Sequence, residues 1–129
     1  MTPDAWTRVR ALGLRLPAVE EGTSYGTPAL KVRGKLLSRL KEDGESVTLA
    51  TTFVERDLLV THHPDAFWFT DHYRDYPIVL VRVARLDDAR LGTLLEDSWR
   101  RLAPKRAVAE WDAGRASLSP PPPRRARRG

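Results

Sequence analysis

No cysteine occurs among the 129 residues, which excludes disulfides, thiolate metal sites and cysteine nucleophiles. No apolar run approaches the roughly 20 residues that a membrane-spanning helix needs. The N-terminus lacks a basic stretch followed by an apolar one, so no secretory signal is expected and the location expected is cytoplasmic. Histidine is scarce: His62 and His63 adjoin and His72 stands alone, none of them in a zinc-binding spacing. Neither a nucleophile elbow nor a phosphate-cradling glycine loop is present. No cofactor, no metal and no catalytic residue is therefore expected, and length points to one domain, as a monomer or small homo-oligomer.

Net charge is also nearly missing from most of the chain. The formal net charge is +5, but residues 1–111 hold 17 Lys/Arg against 16 Asp/Glu, a net of +1. The last 18 residues hold five arginines and one aspartate, a net of +4. A globally basic domain, the usual footprint of a DNA binder, is not what this composition describes. Aromatic residues are few as well, ten in all, yet five of them fall in residues 67–77, Phe-Trp-Phe-Thr-Asp-His-Tyr-Arg-Asp-Tyr-Pro.

Hydrophobic period divides the rest. Thr2-Pro3-Asp4 reads as a helix opening, and Trp6, Val9, Leu12 and Leu16 follow at helical spacing up to Pro17. From residue 30 the period becomes two. Leu30, Val32, Leu36 and Leu40 fall on one parity around a turn at Arg33-Gly34-Lys35, and Lys31, Leu37, Arg39 and Lys41 on the other. Val47–Thr51 pairs back after the Glu42–Glu45 turn, giving a three-stranded meander. Thr52 and Glu55 fit a capping box for a second helix to about Thr61. Ala66–Thr70 and Ile78–Val83 read as two further strands around the Asp71–Pro77 loop. A third helix starts at Asp87, with Leu86 and Leu91 spaced as a hydrophobic staple, and ends at Pro104; Ala107–Trp111 adds a last turn or two. The fold class expected is α+β: an antiparallel sheet of about five strands, helices packed on one side, order α-β-β-β-α-β-β-α. Residues 1–111 form the domain. The remainder, 112–129, with its four prolines at 120–123, is expected to be a disordered basic tail.

Three segments carry a family resemblance: Pro17–Val32 with its Glu-Glu-Gly-Thr-Ser-Tyr-Gly-Thr-Pro run, Thr70–Pro77, and Trp99–Lys105. In this order and spacing the chain resembles the MmcQ/YjbR-like family of small bacterial proteins, over about residues 3–111. The resemblance implies an α+β fold likened to a double-wing DNA-binding arrangement, and the frequent label of DNA-binding protein rests on that likeness. It implies no catalytic residues.

Two candidate sites remain. In the first, Lys31, Arg39 and Lys41 project from one sheet face with Arg33 and Lys35 at the turn, and Arg124, Arg125, Arg127 and Arg128 follow the prolines. Such an array can follow the phosphate backbone of DNA or RNA, although a solvated sheet face uses the same residues. In the second, Trp68, Tyr73 and Tyr76 offer stacking surfaces, Arg74 an anion contact, and Asp71 and His72 orienting hydrogen bonds for a small ligand or protein. The same residues also suit a structural turn before Pro77. In the Glu20–Pro28 loop, Glu20 and Glu21 raise acid/base or hard-metal chemistry and Ser24 and Tyr25 add hydroxyls, but neighbouring carboxylates need not converge and the segment also suits a structural loop leading into the sheet. The function expected is a non-enzymatic binding module that contacts nucleic acid weakly, with a ligand or protein site at the Asp71–Pro77 loop as the alternative.

Overall fold

Asp4 caps the first helix: its carboxylate accepts a hydrogen bond from the Thr7 backbone N–H at 2.8 Å. The computed structural model describes residues 4–118. Helix α1 (Ala5–Gly13) is followed by β1 (Val19–Ser24), β2 (Thr27–Val32), β3 (Lys35–Arg39), β4 (Ser46–Ala50), α2 (Phe53–His62), β5 (Phe67–Trp68), β6 (Ile78–Arg82), α3 (Asp88–Leu102) and α4 (Lys105–Leu118). The class is α+β with antiparallel pairing throughout.

The strands differ from the single five-stranded sheet expected. They form two three-stranded sheets, β1-β2-β3 and β4-β6-β5. The sheets join where β3 runs into β4, through the Leu40–Val47 bridge and the Ser38 hydroxyl donating to Thr48 O at 2.6 Å. The extra strand is β1, along which every residue but Val19 and Ser24 is exposed. An edge strand with one wet face and only one apolar residue offers no alternation to read.

Register corrects the meander in two places. The β2–β3 turn has two residues, Arg33 (φ 53°) and Gly34 (φ 80°), the left-handed pair that matches strand twist in tight hairpins. Pairing then steps from Lys31 opposite Leu36 to Leu30 opposite Ser38, which leaves Leu37 as an extra residue on β3. The bulge exchanges the two leucines: Leu37 is fully buried in the core and Leu36 is half-buried outside it.

The core lies between the sheets and the helices. Val9, Leu30, Leu37, Val47, Leu49, Phe67, Val79, Val81, Leu91, Leu95 and Trp99 form one buried cluster. Trp99 donates its indole N–H to Pro17 O at 2.8 Å, fixing the segment between α1 and β1 against the last turn of α3. Asp87 caps α3 by accepting from Arg90 N at 2.8 Å, and Thr52 caps α2 by accepting from Glu55 N at 3.1 Å.

Helix α4 continues through the position where the domain was expected to end, at 111. What holds 112–115 is charge rather than apolar pattern. Arg100 bonds both Glu96 (2.8 Å) and Asp112 (2.6 Å), and Arg115 bonds Glu96 at 2.8 Å. Trp111 meets Trp99 edge-on, centroids 6.1 Å apart. The prolines at 120–123 and Arg124, Arg125, Arg127 and Arg128 lie outside the described residues.

Candidate polyanion-binding face

Successive side chains of a strand point to opposite faces, and cross-strand partners share a face. Leu30 and Val32 enter the core beside α1, so Ala29 and Lys31 look away from it. Their partners follow them: Glu20 opposite Lys31, Gly22 opposite Ala29, Leu36 opposite Lys31, and Arg39 opposite Ala29. The stem of Lys31 crosses Gly22, where an added Cβ would sit 3.9 Å from Lys31 Cε. The outer face of the first sheet therefore does carry Lys31 and Arg39, with Arg33 and Lys35 exposed at its tip and Lys41 two residues beyond Arg39.

These five cations are not equivalent. Arg39 is buried, 4% exposed. One of its terminal nitrogens donates to Thr27 Oγ1 (2.8 Å) and Leu40 O (3.2 Å), and reaches Ser24 O and Glu42 at 3.5 Å. Its guanidinium carbon lies 5.0 Å from the centre of the Tyr25 ring. Arg39 is thus a support inside the face rather than the free contact expected from its parity. The half-buried Lys41 reaches the Tyr73 hydroxyl and Glu42, at 3.5 Å and 3.6 Å. Glu42 serves both cations, and this charge helps to hold its carboxyl below the usual range, after a hydrogen bond from its own backbone N–H. Lys31, Arg33 and Lys35 take part in no ion pair among the described residues.

The aromatic loop resolves differently. A short 3-10 turn spans Asp71–Tyr73, and Tyr73 is buried, 7% exposed. Trp68 lies under the Arg82 guanidinium at 5.1 Å, and His72 meets Tyr73 edge-on. Asp71 and Arg74 pair with each other on the surface. Tyr76 is exposed.

What holds this loop is Arg56, a residue that helical pattern alone does not single out. It is 4% exposed, and its terminal nitrogens donate to the carbonyls of Tyr73 (2.9 Å), Arg74 (3.0 Å), Tyr76 (2.8 Å) and Ile78 (3.3 Å). The guanidinium also rests 3.8 Å from the Phe69 ring centre and 5.0 Å from that of Phe53. Its Nε is buried without a partner. The one signal in the sequence is position: Arg56 shares the inward stripe of α2 with Leu59 and Val60.

Glu20 and Glu21 point to opposite faces of β1. Glu21 forms an ion pair with Arg10 at 2.6 Å, whose hydrogen bond holds its carboxyl below the usual value, and Glu20 stands opposite Lys31. Among the described residues no three His, Asp or Glu side chains gather to hold a metal ion. No helix there is long and apolar enough to cross a membrane.

Residues 14–101 match the YjbR family model. The chain belongs to the YjbR family. Uncharacterised proteins of Mycobacterium tuberculosis (Rv2570) and Mycobacterium bovis (Mb2600) are each 36% identical to it over 50 residues. The aligned stretch is 39% of this chain and 39% of the mycobacterial ones. The crystal structure of Deinococcus radiodurans protein DR2400, a DUF419 domain, superposes with a TM-score of 0.63 over 74% of this chain and 76% of that one. At 19% identity this likeness establishes the fold alone.

Proposed function

We propose that this YjbR-family protein is a non-enzymatic cytoplasmic binding module whose outer sheet face takes a phosphate-bearing polyanion, nucleic acid, weakly and through its backbone. Support comes from one observation above all. Lys31, Arg33, Lys35, Arg39 and Lys41 lie on one face and its tip, where Glu20 stands opposite Lys31, Glu42 meets Arg39 and Lys41, and Asp43 and Glu45 follow in the adjoining turn. Lys31, Arg33 and Lys35 enter no ion pair among the described residues, on a body whose first 111 residues sum to +1. Charge of this kind positions a strand without reading its sequence. Arg39 contributes by support, and Lys31, Arg33, Lys35 and Lys41 make the contacts. Arg124, Arg125, Arg127 and Arg128 add to the attraction as sequence-distant cations. The loop at Asp71–Pro77 serves the architecture, since its backbone carbonyls are consumed by Arg56.

The test is fluorescence anisotropy of a labelled 20-nucleotide single strand with the full-length protein, between 50 and 200 mM salt. Displacement of counterions by four contacts gives a slope of log affinity on log salt of about −3, at roughly 0.7 per phosphate. The tail arginines steepen it. A slope near zero, or no binding at the lowest salt, contradicts the proposal.

A further inference from the structure

The β1–β2 hairpin turns on Tyr25 (φ 54°) and Gly26 (φ 80°). Left-handed geometry at the first position suits asparagine or glycine, and a bulky ring there is out of place on backbone grounds. The ring does not repay the turn by entering the core, because Tyr25 is 77% exposed, the most exposed of the large apolar or aromatic side chains among the described residues. What it meets is the Arg39 guanidinium, 5.0 Å from its centre. That guanidinium is itself fixed by Thr27 Oγ1 and the carbonyls of Ser24 and Leu40. One side of the ring thus rests on an anchored cation, and the ring otherwise stands open to solvent.

An aromatic ring held in this way, at one end of a sheet face whose cations run from Arg39 past Lys31 to the Arg33–Lys35 turn at the far end, is what an unpaired base requires: a planar surface to stack on and a charged path for its backbone. A duplex hides its base faces and has no use for it. We infer that Tyr25 is a stacking platform for a nucleobase, so that the nucleic acid taken by this face is single-stranded. The inference rests on the polyanion proposal above and names the substrate class of the same site.

The experiment compares the affinity of the full-length protein for oligo-dT of 20 nucleotides and for a 20-base-pair duplex, each across the same salt range, with Tyr25→Asn and Tyr25→Phe. Asparagine suits the left-handed turn, so Tyr25→Asn removes the ring without endangering the fold. Tyr25→Asn is expected to weaken oligo-dT binding roughly five- to hundred-fold, the range for removing one base–aromatic stack, and to leave duplex binding unchanged. Tyr25→Phe keeps the ring and is expected to keep the affinity. If both probes bind with a salt-dependent slope and Tyr25→Asn matches the wild type on oligo-dT, the platform is overturned and the polyanion proposal stands. If neither probe binds in a salt-dependent way, the polyanion proposal falls and the platform with it.

Discussion

The Lys41 ammonium lies 3.5 Å from the Tyr73 hydroxyl and 5.3 Å from the centre of its ring, joining the end of β3 to the aromatic loop. The two regions that looked like separate candidate sites therefore touch. Tyr73 supplies this contact from a buried position, and its ring matters more than its hydroxyl. Tyr73→Ala is expected to cost about 3 kcal/mol or more by urea unfolding, as for other buried aromatic truncations. Tyr73→Phe, which removes only a long hydrogen bond at the edge of the ring, is expected to cost under about 1 kcal/mol.

Arg56 sets the loop's conformation. Its replacement by methionine keeps most of the side chain's bulk and leaves the carbonyls of Tyr73, Arg74, Tyr76 and Ile78 without their donor. A loss of about 3 kcal/mol or more is expected from the urea midpoint, because buried carbonyls deprived of a charged donor bear their full desolvation cost. Arg56→Lys recovers little, since an ammonium cannot reproduce the guanidinium fork.

Arg74 is the contrasting case. It is exposed and pairs only with the still more exposed Asp71. Arg74→Ala is expected to change stability by less than about 0.5 kcal/mol, as is usual for surface pairs. Under the proposed function it also leaves nucleic-acid affinity unchanged, which anisotropy checks directly.

Acid should weaken the fold through carboxylates that are stabilised when ionised. Burial raises the Asp43 carboxyl. Hydrogen bonds from Glu45 N, Ser46 N and the Ser46 hydroxyl, each 2.8 Å, together with the Arg82 charge, outweigh it and bring it below the ordinary aspartate value. Asp4 is lowered by the Thr7 backbone N–H, and Asp112 by its hydrogen bond from Arg100. A group depressed on folding contributes stability above its unfolded value and loses it as pH falls through the folded one. Stability should thus hold above about pH 5 and decline below about pH 4. Asp43→Asn is expected to lie about 1 kcal/mol below the wild type at pH 7, with the gap closing toward pH 3 in parallel urea titrations.

Much of the architecture was legible in residue patterns. α3 carries its stripe of Leu91, Leu94, Leu95 and Leu102 between an aspartate cap and Pro104, and the β4 and β6 runs read directly. β1 was not legible, because Val19 is its single apolar residue and its stability comes from pairing with β2 and from the Glu21–Arg10 ion pair. The Leu36–Leu37 exchange was hidden too: a bulge alters which face a residue takes without altering the alternation of types. Within the candidate site, Lys31 and Arg39 fall on one face because the extra residue Leu37 offsets the two-residue turn. What parity could not supply was depth, since Arg39 is drawn inward by Thr27 and Tyr25 across a hairpin that the sequence did not display. Arg56 was missed for a related reason. A charged residue on a helix reads as solvated unless the loop that accepts its hydrogen bonds is already known to lie against it.

The most direct test replaces Lys31, Arg33, Lys35 and Lys41 together by glutamine in the full-length protein and compares its salt dependence with that of the wild type on the 20-nucleotide strand. The C-terminal arginines are common to both proteins, so any difference in slope belongs to the sheet face. The slope is expected to flatten by about 3 units, at roughly 0.7 for each phosphate no longer neutralised. Identical slopes in two equally folded proteins would remove this face from nucleic-acid binding.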